Sequence, residues 1–375
     1  MLRRFCGAVA AGFCATLFGW VGPAWAHGAD APDGTDYRTA VTEVSPATAG
    51  LTLRTVEAGA RLELTNRTGT TIEVLGYENE PYLEIRPDGV FENVHSPAVY
   101  LNATLTGSAA LPADADPTLP PSWRRASTAP IVRWHDHRTH WMLADPPPEV
   151  AADPSVPHRI RDWVVPLRAG LSTMEARGTL DWVPPPSPGL WWAWSLLGAL
   201  AVGLLGLVGR FGSLLRGLSV GGPSASPRSA PVVLPVLSAL AAVAGLVSIA
   251  YAVLREVDAG NDGLGPAVRG LLSGQVWPLL TGLAAVAAAA YALRRRPAAD
   301  FALALAATCV ALFGGVTNAA AFTNGVVPAP GPPTLARLLV ATTIALGMGV
   351  AVASALRLRT GRPSVEPRSA LESAA

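Results

Sequence analysis

TLDWVPPPSPGLWWAWSLLGALAVG, residues 179–203, is the stretch in which this chain changes solvent. Its first residues, Thr179-Leu180-Asp181-Trp182, alternate polar and apolar, the period of a strand with one covered face. From residue 190 to 209 no charge occurs, and about 20 apolar residues are what a helix needs to cross a bilayer. Between the two lie Pro184, Pro185 and Pro186, whose rings fix φ and remove backbone donors, leaving a stiff link. The sequence therefore predicts a β-rich part before residue 184 and a helical membrane part after residue 189.

Downstream, four more apolar runs follow 190–209, at about 232–254, 274–293, 301–322 and 335–356. Ten arginines follow the first, third and fifth runs: Arg210, Arg216, Arg228, Arg294, Arg295, Arg296, Arg357, Arg359, Arg362 and Arg368. The other connections hold three, Arg255, Arg269 and Arg337. The positive-inside rule then expects those three exits to be cytoplasmic, which leaves the N-terminal part outside and the C-terminus inside. Trp191, Trp192 and Trp194 stand where the first run would leave the outer interface. Apart from Cys309 and Met348, the runs carry no soft ligand, and no ionisable group stands at mid-bilayer, so they read as anchor or assembly surface. Asn318 is the most polar exception and reads as helix-packing glue.

The start has the order of a secretory signal: Arg3 and Arg4, an apolar run at 5–21, then Ala24-Trp25-Ala26 as cleavage site. Cleavage would make His27 the first residue and remove Cys6 and Cys14, leaving an exported part without disulfides. Upstream of the proline link, short alternations occur at 51–53, 62–64, 72–74 and 82–85, with further strands expected at 131–134, 163–165 and 179–182. Turn chemistry separates them at 66–69 and 87–89. Seven to nine short strands predict an antiparallel sandwich. The expected divisions are a signal at 1–26, an extracytoplasmic β domain at 27–183, a connector at 184–189, five membrane helices at 190–359 and a disordered cytoplasmic tail at 360–375.

All 28 basic residues are arginine. Residues 27–189 hold 21 Asp and Glu against 13 Arg, a balance of −8, which argues against nucleic acid as a partner because phosphate binding needs clustered cations. Hydrolytic chemistry has no sequence support: there is no Gly-x-Ser-x-Gly elbow, no His-Glu-x-x-His and no phosphate-cradling glycine loop. No enzyme is expected.

The residues that ask for a chemical role are in WHDHRTHWM, 134–142, which holds three of the six histidines. If the strand begun at Ile131 continues through His137, then His135 and His137 share a face about 6.6 Å apart and converge on one ion. His140 joins them only if the chain turns at Arg138-Thr139. Asp136 would then hold an imidazole from behind. An N-terminal His27 would add its α-amine and ring nitrogen, giving the nitrogen-rich set that Cu(II) prefers. The metal ligands expected on this reading are His27, His135, His137 and His140, with copper as the ion. The alternative is structural: an Asp136–Arg138 salt bridge, Trp134 and Trp141 as core, and His140 bonded to a backbone carbonyl. His95 and His158 read as loop histidines.

The segments GYENEPYLEIRPDG at 76–89, NVHSPAVYLN at 93–102 and WHDHRTHWM together resemble a family of exported actinobacterial membrane proteins. That resemblance implies an architecture and no activity. A looser similarity, carried by His27, is to CopC-type copper carriers, β-sandwiches that begin with a copper-binding histidine and can be joined to CopD-type membrane parts. The late Asp-Gly-His element of that family is absent here. The whole chain is thus expected to be an Ig-, cupredoxin- or CopC-like β-sandwich followed by five transmembrane helices. It would be a multi-pass cell-membrane protein whose outer domain holds or delivers copper, with docking on another envelope protein as the alternative.

Overall fold

Alternation upstream of the proline link yields ten strands in two antiparallel sheets, seen in a computed structural model that describes residues 32–207 and 230–360. The strands are β1 (Tyr37–Ser45), β2 (Leu51–Val56), β3 (Arg61–Asn66), β4 (Ile72–Leu75), β5 (Pro81–Arg86), β6 (Gly89–Asn93), β7 (Trp123–Ser127), β8 (Ile131–Trp134), β9 (His158–Ala169) and β10 (Ser172–Trp182). The larger sheet runs β1-β10-β9-β4-β5-β6-β7 and the smaller β2-β3-β8. Period two decides what each sheet buries. In β3, Leu62 and Leu64 point inward and meet Ile72, Val74, Val165 and Leu167 of the larger sheet in one core cluster. Each such aliphatic chain, taken out of water, contributes about 1.5–3 kcal/mol. The expected signal peptide, with His27 just after it, and the expected C-terminal tail lie outside the described residues.

Ten strands exceed the seven to nine expected; of the three without an expected range, β6 lies between β5 and β7, and β1 and β7 are the edges of the larger sheet. β7 reads WRRAS and pairs only with β6; charged residues suit an edge because they discourage further pairing, but they hide the alternation. β1 pairs only with β10 and alternates weakly in burial. Two short helices also went unread, α1 (Pro97–Leu101), capped by Ser96, and α2 (Pro148–Ala152).

Five helical segments are long and apolar enough to cross a membrane: Pro188–Leu207, Val232–Asp258, Val276–Leu293, Ala299–Phe322 and Pro333–Arg359. They correspond to α3 (Pro188–Leu204), α4 (Ala230–Asp258), α6 (Val276–Leu293), α7 (Ala299–Val310, the first part of the fourth) and α8 (Pro333–Thr360). Small residues set their spacing, as where Gly245 of α4 meets the Gly282 carbonyl of α6 so closely that no Cβ would fit. The fourth span is broken: α7 gives way to a π turn at Ala311–Gly315 and a 3-10 segment at Val316–Phe322. Such a change of winding leaves carbonyls to satisfy. Asn318 donates to Gly314 O at 3.0 Å and accepts from Arg255 of α4 at 2.8 Å. The buried Arg337 donates to the carbonyls of Ala321, Asn324 and Gly325. One helix was unforeseen, α5 (Leu264–Ser273), between the second and third spans.

The β domain sits on the loop that leaves α4. Backbone amides of Glu57 and Ala58 donate to the carbonyl and carboxylate of Asp258, at 3.0 and 2.7 Å. On the outward face of the smaller sheet, Glu63 holds Arg54 and Arg133, at 2.7 and 2.6 Å. Arg54 continues to Asp262 and Arg133 to Gly260 O. Gly260 has φ +75°, and a Cβ there would meet Arg133 and Glu63 within 3 Å, so glycine is required on both counts. A second line of contact pairs Thr35 with Val326 as a β-bridge, beside Gly325 N donating to Asp36.

Candidate functional site

Residues 134–142 leave β8 and turn beneath the larger sheet. Trp134 is the last strand residue, paired with Leu62 and buried in the core. The strand does not continue through His137. Asp136 instead acts as the N-cap of a 3-10 turn, His137–Thr139, its side chain accepting from Arg138 N. The short carboxylate competes for the backbone amides that a strand would need, which is why Asp favours such positions. His135 and His137 therefore do not share a strand face, correcting the geometry on which their convergence rested.

Asp136 is fully buried and takes four donors: Arg138 Nε and Nη2 at 2.8 Å each, Arg138 N at 3.2 Å and Trp134 Nε1 at 3.1 Å. The guanidinium of Arg138 reaches on to the carbonyls of Leu75 and Gly76 and lies over the Tyr77 ring. Burial works against the charge on Arg138, but hydrogen bonding and attraction to Asp136 outweigh it and raise its pKa. Two other strands hold the turn. Thr39 of β1 donates to Thr139 O at 2.7 Å, and Arg161 of β9 donates to the carbonyls of His137 and His140. Tyr77 accepts from His137 N at 3.0 Å and donates to Asn102; burial, then the nearby Asp136, push its phenol up to about 12. It therefore stays a neutral donor.

The histidines take separate places. Buried His135 sets Nδ1 on Ala60 O at 2.7 Å, while its Nε2 accepts from Arg61 Nε at 3.1 Å. Because arginine only donates, the Nε2 lone pair is engaged and Nδ1 carries the proton. His140 places Nε2 on the same carbonyl at 3.0 Å. Burial pushes its pKa down to about 4, so the ring is neutral near pH 7, with Nε2–H donating. His137 faces elsewhere. Its Nε2 meets Thr104 O at 3.2 Å, and its ring stacks on Tyr77 and covers Gly107. With φ +64° and a ring atom where a Cβ would stand, position 107 admits only glycine without strain. His95 meets Pro120 O, and His158, the first residue of β9, meets Asp153 O.

Two rings thus converge on Ala60 O with hydrogens rather than lone pairs. Among the described residues, no group of three or more His, Cys, Asp and Glu side chains is placed to hold a metal ion. His135 fits a metal poorly as it stands. His140 differs: its Nδ1 has no hydrogen-bond partner among the described residues, and it lines a cavity of about 340 Å³ with Tyr37, Met142 and Pro32.

Tyr77, Asn102, Thr39 and Arg161 complete the turn and were not singled out from the sequence. Only Tyr77 and Asn102 gave a signal, since both fall in the segments that carry the family resemblance. No protein-family model matches the chain, no curated protein matches it, and no solved structure matches it.

Proposed function

We propose that this chain is a membrane-anchored cell-envelope module whose outer β domain, a two-layer sandwich fixed on a five-helix bundle, docks another envelope component. The β domain lies on the extracytoplasmic side and the C-terminus in the cytoplasm, as the arginine asymmetry favours. One observation carries this reading: the histidines of 134–142 are used as braces, with Ala60 O, Thr104 O and Arg61 taking their ring nitrogens. Asp136 and Arg138 lock the same turn to β4, and Thr39 and Arg161 lock it to β1 and β9. Nearby loops offer exposed Leu111, Met142 and Leu143, apolar residues suited to a partner.

A second reading, copper holding or delivery, is favoured by His140 at the cavity beside Met142. The sequence expects the α-amine and ring nitrogen of His27 as ligands, and the described residues offer His140 Nδ1 and Met142 as further donors. His135 and His137 could join only by giving up their present hydrogen bonds. A copper titration of the full chain, purified with its native N-terminus, separates the two. The docking reading expects binding no tighter than micromolar, unchanged by one residue added before His27. Tight binding that the extension and His140→Ala both weaken at least tenfold, about 1.4 kcal/mol, would replace docking with copper holding.

A further inference from the structure

Between the second and third spans, α5 carries an apolar stripe that nothing in the described chain covers. Leu264, Val268 and Leu272, spaced by four, are 86%, 45% and 59% exposed. At 3.6 residues per turn they fall on one flank. Ala267, Gly270 and Leu271 fall on a second flank and are part-buried or buried. That flank packs on the end of α4, where a Cβ on Gly270 would overlap the Glu256 carboxylate. Gly265, Arg269 and Ser273 form a third flank, exposed and polar. One face on protein, one apolar and one polar is the cross-section of a helix lying in a bilayer interface.

Chain length fixes the level of this helix. Only Gly274 and Gln275 separate α5 from α6, which begins at Val276. From Ser273 to Val276 there are three Cα–Cα steps, at most about 11 Å, and the headgroup zone on each side of the hydrocarbon is about 5–7 Å deep. The last turn of α5 is therefore held within a few ångströms of the membrane surface. Continuity points the same way: Trp277, Leu280 and Leu283, in the first turns of α6, are 40%, 51% and 52% exposed on a membrane-crossing helix. Trp277 marks the interfacial level where tryptophan collects.

We propose that α5 is an interfacial anchor, with Leu264, Val268 and Leu272 inserted among the acyl chains of the outer leaflet and Arg269 at the phosphate level. The occupant of the stripe is lipid. The anchor bears on the β domain, since the loop just before α5 supplies Asp262 to Arg54 and Gly260 O to Arg133. The bilayer surface thus sets the seat on which the smaller sheet rests.

The test uses the full chain in phosphatidylcholine–phosphatidylglycerol vesicles, with its native cysteines replaced by alanine. An environment-sensitive fluorophore is placed at Val268→Cys or, on the polar flank, at Ser273→Cys. Both positions are exposed, so folding should survive, and the circular dichroism of each variant is compared with that of the parent. A lipid-borne nitroxide should quench the label at 268 at least threefold more than the label at 273, with aqueous iodide showing the reverse order. Equal or greater iodide quenching at 268 would place the stripe in water and overturn the proposal. Protection of 268 from both quenchers would mean that protein, such as a second copy, covers the stripe, and would overturn it as well.

Discussion

Replacing Asp136 by alanine is the sharpest perturbation of the turn at 134–142. The carboxylate is wholly inaccessible and its partner Arg138 is 19% exposed. Deleting one member of a buried pair leaves the other charge uncompensated, at a cost of about 3–5 kcal/mol. Trp134 Nε1 also loses its acceptor at 3.1 Å, which adds about 1–3 kcal/mol unless water reaches it. A loss of about 4 kcal/mol is therefore the lower expectation, a large share of the roughly 5–15 kcal/mol that holds a domain folded. For a domain of this size, each 1 kcal/mol lowers Tm by about 2–4 °C, so Tm should fall by about 8–16 °C. The assay is thermal unfolding of the full chain in detergent, followed by the near-ultraviolet circular dichroism of its tryptophans. Asp162→Ala, which removes an acceptor 78% exposed, serves as control and should change Tm little. The double variant Asp136→Leu/Arg138→Met should be no less stable than Asp136→Ala alone, because it removes both charges. A Tm for Asp136→Ala within about 2 °C of the parent would refute the view that this pair organises the turn.

Acid should loosen the same region through His140, whose pKa is about 4 in the folded protein against 6.5 ordinarily. As pH falls, the unfolded chain binds the proton first, so the stability linked to neutral His140 is complete above about pH 6.5 and lost progressively toward pH 4. The loss amounts to about 3 kcal/mol; His140→Gln should flatten the pH dependence of Tm in that window, and an unchanged profile would contradict the assignment. The seam can be trapped covalently. Thr35 and Val326 exchange two backbone hydrogen bonds, which sets their Cα atoms about 5.5 Å apart, within disulfide range. Thr35→Cys/Val326→Cys should cross-link under mild oxidation, and failure to do so would separate the β domain from the bundle.

The five spans were legible to within a few residues because bilayer thickness imposes a length and a composition that no interior packing overrides. The inner strands were legible because one face of each is covered, as with Leu62 and Leu64 in β3. The histidine turn was located but misdirected. Its signal was present in Asp136-His137-Arg138-Thr139, where a short carboxylate two residues before an arginine favours a capped turn over a strand. What it braces could not be read, since the receiving groups are the backbone carbonyls of Ala60, Thr104, Leu75 and Gly76, which have no sequence signature. Helix α5 was hidden for a different reason. Gly263, Gly265 and Pro266 mark a loop, and they mask the spacing of 264, 268 and 272.

Glu63 shows where pattern reasoning misleads about function. Its neighbours Leu62 and Leu64 face the core, so alternation assigns Glu63 to the outer face, and a carboxylate there reads as a solvated surface residue. In the structure it is 5% exposed, held between Arg54 and Arg133, with Gly260 of the α4 exit loop beneath them. A buried carboxylate with one cation carries a desolvation cost that a single pair seldom recovers; here two guanidiniums share it, and both reach on to the loop before α5. The outer face of the smaller sheet is therefore polar because it docks on the bundle, not because it meets water. An isolated fragment ending at the proline link would expose this face and leave Glu63, Arg54 and Arg133 without the loop that completes them. Binding measured on such a fragment would report on a surface that the intact protein does not present.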